Sequence, residues 1–335
     1  MRYRTFGRTG WEVSEIAFGA WQLGGDWGAV DDEASIDTLL YAFEQGINFV
    51  DTAELYGRGH SETVVGEALR RWKGDKVYVA TKAQPTAWPD PDEDEPLMRG
   101  RYPEWHLRAN VDHSLRRLGV ERIDLFQLHS WMADGVRALD WLEILNALRV
   151  EGKIDQIGVS MRDFRPQDGV DLAALGLVAS QQVIFNLFEQ TPTHELFPAG
   201  LATDMAFIAR VPLDSGSLVG HWTRDTYAQW TPGSVPYQMF QGERFAHTLE
   251  RVDALKAVCA PYYPTLAEAA MRYVLSERAV SAVIPGMTNR AEVDMNVACS
   301  DGEGFPAELK AVLPPHCWVR NYYRETAPRE LRQDR

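Results

Sequence analysis

Eight short apolar runs, set apart by longer stretches of helical spacing, constrain this chain more than any other feature. The runs cover residues 16–21, 48–53, 76–83, 123–129, 154–160, 181–186, 206–213 and 280–285. Each is apolar along most of its length, the pattern of a parallel strand covered on its outer face. Between them, residues 34–45 set Ile36, Leu39, Leu40 and Phe43 on one helical face, and residues 61–72 do the same with Val64, Val65, Ala68 and Leu69. Ser61 is the expected N-cap of the latter. Residues 105–118, 139–150, 245–258 and 266–276 read the same way, and Gly46, Gly119 and Gly152 stand where C-terminal caps are expected. After the sixth run, Pro198 and Gly200 predict only a weak helix. Such alternation permits a closed (β/α)8 barrel or an open doubly wound sheet. An open dinucleotide-binding sheet should carry GxGxxG at its first strand-to-helix turn. The chain has neither that motif nor GxxxxGK. The pattern predicts an α/β fold, a (β/α)8 TIM barrel.

Length allows either one barrel domain over residues 1–335 or two average domains; the unbroken alternation favours one barrel. Gly7-Arg8-Thr9-Gly10, between residues 2–6 and 11–14, predicts an N-terminal β-hairpin within residues 1–15. Two connections are long. Residues 84–103, after the third run, are rich in proline and acid, and residues 90–95 read as a solvated acidic stretch. Residues 214–244, after the seventh, carry Trp222, Tyr227, Trp230, Tyr237 and Phe240. Loops of this length are usually functional, and on a barrel those that follow strands lie on the catalytic face. Residues 314–335 form a C-terminal tail, with Trp318, Tyr322 and Tyr323 expected to dock and the charged end expected to fray.

With 34 basic and 48 acidic residues, the net charge of −14 argues against nucleic acid or an anionic membrane as a partner. No apolar run reaches the roughly 18 residues of a membrane span, and the N-terminus lacks a signal-peptide core. Cys259, Cys299 and Cys317 are odd in number and widely spaced, so neither a disulfide framework nor a metal site is expected. A cytoplasmic enzyme with a small-molecule substrate is the expectation, its oligomeric state left open.

The polar residues that close the runs carry the chemistry. Asp51 ends the second, Lys82 the third, His129 the fourth and Ser160 the fifth, and Tyr56 follows Asp51 in the loop. Singly, each has an ordinary reading: a capping aspartate, a lysine reaching solvent, a structural histidine, a loop aromatic. A barrel, however, brings neighbouring strand ends together around one cavity. A buried lysine there needs a counter-charge, which Asp51 supplies. A nearby cation lowers the pKa of a phenol, ordinarily about 10. Such a tyrosine can give a proton to a carbonyl oxygen or take one from an alcohol. The histidine would orient the carbonyl, and no metal is required.

The motifs Asp51-Thr52-Ala53-Glu54-Leu55-Tyr56-Gly57, Ser61-Glu62, Gly66, Thr81-Lys82, Leu128-His129, Gly158-Val159-Ser160 and Ile284-Pro285-Gly286 occur in an order and spacing that resemble the aldo-keto reductase superfamily, from Gly7 to about Ser300. The resemblance implies a catalytic tetrad of Asp51, Tyr56, Lys82 and His129. It also implies a nicotinamide dinucleotide extended across the barrel mouth. Ser160 and Gln182 match the family's carboxamide contacts, with Gln181 as the register alternative; Met161 stands where many members have asparagine. Arg210 occupies the place of an aromatic that stacks on the nicotinamide. It either stacks there as a flat guanidinium or pairs with a loop acid. Pro212, Leu213, Ser215, Gly216 and Leu218 fall in a segment similar to the family's pyrophosphate loop, whose plainer reading is an ordinary turn.

Ile284, Pro285, Gly286, Thr288 and Arg290 match the segment that holds an adenosine 2′-phosphate. Glu292 departs from the glutamine common there: a carboxylate is unfavourable beside a phosphate but can accept from a free ribose hydroxyl. Asn296 fits the adenine contact, or is a helix-surface residue. Ala20 and Trp21, at the end of the first strand, are expected cofactor contacts. Trp21 and Trp88 are the expected substrate walls. The resemblance implies reversible reduction of an aldehyde, ketone or sugar carbonyl, with NADP(H) ranked first and NAD(H) second. Two alternatives stay open: an NAD-dependent sugar or alcohol dehydrogenase working oxidatively, and a non-catalytic nucleotide-sensing subunit of the same fold.

Overall fold

The computed structural model describes residues 1–90, 93 and 95–320. Tyr322, Tyr323 and the rest of the charged tail lie outside the described residues, as do three positions of the acidic stretch. Strands β1 (Tyr3–Thr5) and β2 (Glu12–Ser14) form the antiparallel hairpin. Eight parallel strands follow: β3 (Phe18–Gly19), β4 (Phe49–Asp51), β5 (Tyr78–Ala83), β6 (Ile123–Leu128), β7 (Ile154–Ser160), β8 (Ser180–Ile184), β9 (Ala206–Arg210) and β10 (Val280–Ile284). Each pairs with its neighbour in sequence. The sheet curls back on itself through parallel bridges from Ile16 to Val283 and from Gly19 to Gly286. At that seam a β-carbon on Gly19 would lie 2.7 Å from the Ile284 carbonyl oxygen. Only glycine allows β3 so close to β10.

Strand periodicity sorts the side chains. Phe49, Ala80, Leu125, Ala206, Ile208, Ala282 and Ile284 form an inner core closed from below by Phe6 and Val13 of the hairpin. Phe6 packs on Phe49 with ring centroids 5.4 Å apart, and Trp11 stacks on Tyr78 at 4.7 Å. Residues of opposite parity, such as Val50, Val79, Phe126 and Val159, join the larger core between strands and helices. Two residues beyond the inner layer along their strands come Asp51, Lys82, Gln127 and Arg210. The alternation that fills the barrel therefore aims these polar groups inward at its C-terminal end.

The helices begin and end near their predicted limits: Asp32–Glu44, His60–Arg71, Glu104–Leu118, Asp140–Val150, Glu243–Cys259 and Leu266–Leu275. The segment after β8 forms only a short helix, Leu196–Leu201. Ser61 is not a cap. Gly59 holds that position, and Ser61 is buried, bonding the Ala20 carbonyl at 2.7 Å and Thr52 at 2.8 Å. It thereby ties the second helix to two strand ends. The described residues of the connection after β5 carry no helix before Glu104. That after β9 contains Thr226–Gln229 and Val235–Met239 and builds its own aromatic cluster. There Trp222 lies 4.9 Å from Phe240 and 5.0 Å from Trp230.

Candidate active site

Lys82 is fully buried, and its ammonium spends its three donors on three oxygens. Nζ lies 2.5 Å from Asp51 Oδ2, 2.8 Å from the Thr52 carbonyl oxygen and 3.3 Å from Tyr56 Oη. The other oxygen of Asp51 accepts from Gln127 Nε2 at 3.1 Å and from Gln182 Nε2 at 2.8 Å. A buried ion pair is tolerable only when its remaining polar positions are filled, and here the Thr52 carbonyl, Tyr56, Gln127 and Gln182 fill them. One step further out, Thr81 donates to buried Glu62 at 2.6 Å, and Arg117 pairs with the second Glu62 oxygen at 2.8 Å. These bonds fix the backbone beside Lys82.

Burial alone would depress the Lys82 ammonium, but Asp51 and the Tyr56 oxygen outweigh it and hold the group above its ordinary value. Tyr56 departs from expectation. Burial pushes its phenol above the usual value, and the attraction of Lys82 offsets this only in part. The nearby cation acts in the expected direction, but desolvation is the larger effect. His129 is driven well below its usual value by burial, then by Lys82 and Arg210, and is therefore neutral. Its Nδ1 is buried and bonds no group among the described residues. The His129 ring meets Tyr56 edge-on at 5.8 Å and Trp88 edge-on at 5.8 Å, while Trp21 stacks on Tyr56 at 5.9 Å.

These groups open onto one cavity of about 910 Å³. Of the residues expected there, Ala20, Trp21, Asp51, Tyr56, Trp88, His129, Ser160, Gln182 and Arg210 line it. So do Pro212, Leu213, Ser215, Gly216, Ile284, Pro285, Gly286, Thr288, Glu292 and Asn296. Lys82 lies beneath. The register question resolves by parity: Gln182 faces the cavity, whereas Gln181 turns outward and donates to the Gly169 carbonyl at 2.9 Å. Arg210 takes the pairing alternative, bonding Asp163 and the Met161 carbonyl.

Two expected positions fall elsewhere. Leu218 is fully buried in the core, because the turn Asp214–Val219 rotates its side chain inward and its amide bonds the Leu213 carbonyl at 3.1 Å. Arg290 points to solvent, pairs with Asp37 at 2.6 and 2.9 Å, and covers the Tyr41 ring. Glu292 accepts from the Thr288 amide at 2.6 Å and hydroxyl at 3.0 Å, while its own amide donates to Asn289 at 3.0 Å. This is a reciprocal cap of the last barrel helix, Arg290–Ala298. Asn296 is the opposite case: both side-chain amide atoms are buried without a partner among the described residues.

Gln127, Arg162 and Asp163 were not anticipated. Gln127 was findable, since a polar residue two positions before His129 in an apolar strand must face the barrel interior. Arg162 and Asp163 sit in the irregular loop after β7 and carry no such signal. Among the described residues no group of three or more His, Cys, Asp or Glu could hold a metal ion. No helix among the described residues is long and apolar enough to cross a membrane.

The sequence profile of the aldo/keto reductase family matches residues 15–308. The NADH-specific methylglyoxal reductase of Escherichia coli (strain K12) is 30% identical over 89% of this chain and 93% of its own length. A probable voltage-gated potassium channel subunit beta from Oryza sativa subsp. japonica is 24% identical over 90% of this chain and 92% of its own. Among solved structures, the glycerol dehydrogenase of Gluconobacter oxydans superposes with a TM-score of 0.74 at 29% identity, covering 91% of this chain and 92% of that one. With its eight-stranded barrel and a family match across nearly all of its length, the chain belongs to the aldo/keto reductase family.

Proposed function

We propose that the protein interconverts a small carbonyl compound and its alcohol with a nicotinamide dinucleotide as redox partner, Tyr56 serving as general acid and base. The observation that carries this reading is the buried Lys82 ammonium, shared between Asp51, the Thr52 carbonyl and the Tyr56 hydroxyl, on the floor of a cavity large enough for dinucleotide and substrate. In reduction Tyr56 Oη gives its proton to the carbonyl oxygen. The phenolate left behind is balanced by Lys82, which Asp51 keeps charged. Neutral His129 offers a ring N–H to the same oxygen and holds the carbonyl against Tyr56. Trp21 and Trp88 flank these two rings and restrict the substrate to compact groups. In oxidation Tyr56 accepts the proton of the alcohol. When bound, the dinucleotide supplies the hydride in one direction and accepts it in the other.

The residues present suit such a cofactor. Asn296 has an unspent donor and acceptor aimed into the cavity, fitting an adenine edge. Ser215 and Gly216 lie on the cavity wall in a turn with successive positive φ angles; the Gly216 amide donates to the Leu213 carbonyl at 2.9 Å, which leaves the Ser215 backbone and hydroxyl to meet an anion. Ser160 and the free oxygen of Gln182 can meet a carboxamide. Both dinucleotides come into question, since solved relatives at 21% and 23% identity hold NADP and NADPH. A 2′-phosphate needs the Thr288 amide and hydroxyl that Glu292 already holds, and its nearest cation, Arg290, is engaged by Asp37. This arrangement supports NAD(H) over NADP(H), and the NADH-specific Escherichia coli relative points the same way.

The test is oxidation of NADH and of NADPH with a panel of reactive aldehydes and dicarbonyls, using Tyr56→Phe as background. Sustained turnover with NADH that vanishes in the variant is the expected result. Equal rates in the two proteins would remove Tyr56 from the chemistry. One slow turnover per bound dinucleotide would instead favour a sensing subunit, the role suggested by the potassium-channel relative.

A further inference from the structure

After the last α-helix among the described residues, Ala307–Val312, the chain runs along the loops that follow β8 and β9 and is pinned at three points. The Leu313 carbonyl accepts from Gln190 Nε2 at 3.1 Å. The Trp318 amide donates to the Phe188 carbonyl at 2.8 Å. Arg320 then reaches Asp214, 106 positions earlier in sequence. Trp318 is held between two guanidinium groups, Arg251 at 4.7 Å and Arg320 at 4.1 Å from its centroid, and its edge meets Phe188 at 5.5 Å. Val319 packs on the aromatic cluster of the connection after β9. The segment thus joins the loop after β8, the insertion after β9 and the turn that begins at Asp214.

That turn needs holding. Val211, Asp214 and Ser215 all have positive φ angles (56°, 48° and 53°), which non-glycine residues rarely adopt. Asp214 is nearly fully buried and is fixed from two sides, by the Ser217 hydroxyl and by the Arg320 guanidinium. Ser215 and Gly216, the next two residues, line the cavity. The Gly216 amide donates to the Leu213 carbonyl at 2.9 Å, so the group whose direction toward an anion follows from the conformation that Asp214 anchors is Ser215. A strained backbone of this kind persists only where its surroundings enforce it.

We propose that the segment ending at Arg320 is a strap that keeps this turn in its anion-facing form, with Arg320 a positioning residue for the dinucleotide. The inference rests on the proposed function, in which Ser215 and Gly216 face the pyrophosphate. Loosening the strap would leave the chemistry at Tyr56 intact while letting the turn leave its anion-facing form in the complex, so the dinucleotide escapes sooner and its affinity falls. The effect belongs in cofactor dissociation and in KM for the cofactor, not in kcat.

The experiment uses the full chain and four variants: Arg320→Gln, Arg320→Lys, Asp214→Asn, and the double variant of Arg320→Gln with Asp214→Asn. Asparagine tolerates the left-handed conformation, so Asp214→Asn tests the pair should Arg320→Gln fold poorly. NADH dissociation is followed by stopped-flow fluorescence, and kcat and KM are measured with NADH varied. Arg320→Gln and Asp214→Asn should each speed dissociation and raise KM about tenfold, with kcat at saturation within about twofold. Arg320→Lys should retain most of the affinity. The double variant should be no worse than the worse single one, as coupled partners require. Unchanged dissociation in both single variants, or losses that multiply in the double, would overturn the strap. Failure of the unaltered protein to bind either dinucleotide would overturn the proposed function and the strap together, whereas tight wild-type binding with insensitive variants would overturn the strap alone.

Discussion

Glu189 offers a prediction that can be worked through to a magnitude. It lies in the loop after β8, 5% exposed. One carboxyl oxygen accepts from the amide and hydroxyl of Thr191, while the other is buried with no partner among the described residues. Burial pushes the carboxyl up to about 7 from an ordinary 4.5; the Thr191 bonds and Arg320 pull down less than burial pushes up, and Asp163 adds to the rise. The folded protein therefore holds this proton more tightly than the unfolded chain. Below about pH 4 both states are protonated and the group costs nothing. As pH rises from 4.5 through 7 the unfolded chain releases the proton first, and stability falls; above 7 the full cost is present. At roughly 1.4 kcal/mol per tenfold change in proton affinity, that cost reaches about 3 kcal/mol. Glu189→Gln keeps the acceptor for Thr191 and removes the charge. Urea denaturation of both proteins at pH 5 and pH 8 should show a stability advantage for the variant that grows by about 2.5 kcal/mol between the two. An advantage that is flat with pH, or that shrinks toward pH 8, would refute the account of a carboxyl forced neutral by burial.

Other outcomes follow from features of the site and the barrel. Glu292→Gln should tighten NADPH binding about 10- to 100-fold relative to NADH, because it removes a buried-edge carboxylate from the donors a phosphate would use; paired fluorescence titrations measure the ratio. Because His129 is held neutral well below its usual range, the profile of kcat/KM against pH should show no loss of activity from His129 protonation near 6.5, and an acid limb there that disappears in His129→Gln would contradict it. Phe6→Ala should cost about 3–5 kcal/mol in chemical denaturation, since this fully buried ring closes the barrel floor, while leaving KM for the cofactor within about twofold.

Much of this architecture was legible in sequence because it rests on local period. Seven of the eight predicted runs contain their strands, and β8 begins one residue before its run, at Ser180; parity along β4 and β5 sends Asp51 and Lys82 inward by the same rule that packs Phe49 and Ala80. Strand ends were less legible. The run 206–213 stops as a strand at Arg210 because Val211 turns to a positive φ before Pro212. Partners distant in sequence were least legible. Arg210 was recognised as ambiguous, but its choice of Asp163 depends on how two loops meet. Arg290 looked like a phosphate ligand until Asp37, on another helix, was placed beside it. The spacing of Asn289 and Glu292 was itself a capping signature, and reading it first would have weakened the expectation of a phosphate there. The Tyr56 phenol shows a similar limit: sequence supplied the cation next to it, but how far packing strips away water is a property of the assembled cavity.

The seam between β3 and β10 bears on how the chain is made as well as on its shape. Two residues of β3 and a few backbone bonds join strands more than 250 positions apart, and the same region ties the Arg2 amide to Ser300, a separation of 298. On a ribosome the hairpin and β3 emerge before the other barrel strands and must wait for β10, the last of the eight. Until then β3 presents an open edge, and the underside of the barrel lacks its final staves. Ring closure over so long a span is entropically slow. The nascent protein thus passes through a stage in which most of its hydrophobic layer is assembled while one edge stays open to other chains. Moving the termini to the exposed connection after β5 would make β3 and β10 neighbours in sequence, shorten that interval, and transfer the open edge to a different pair of strands.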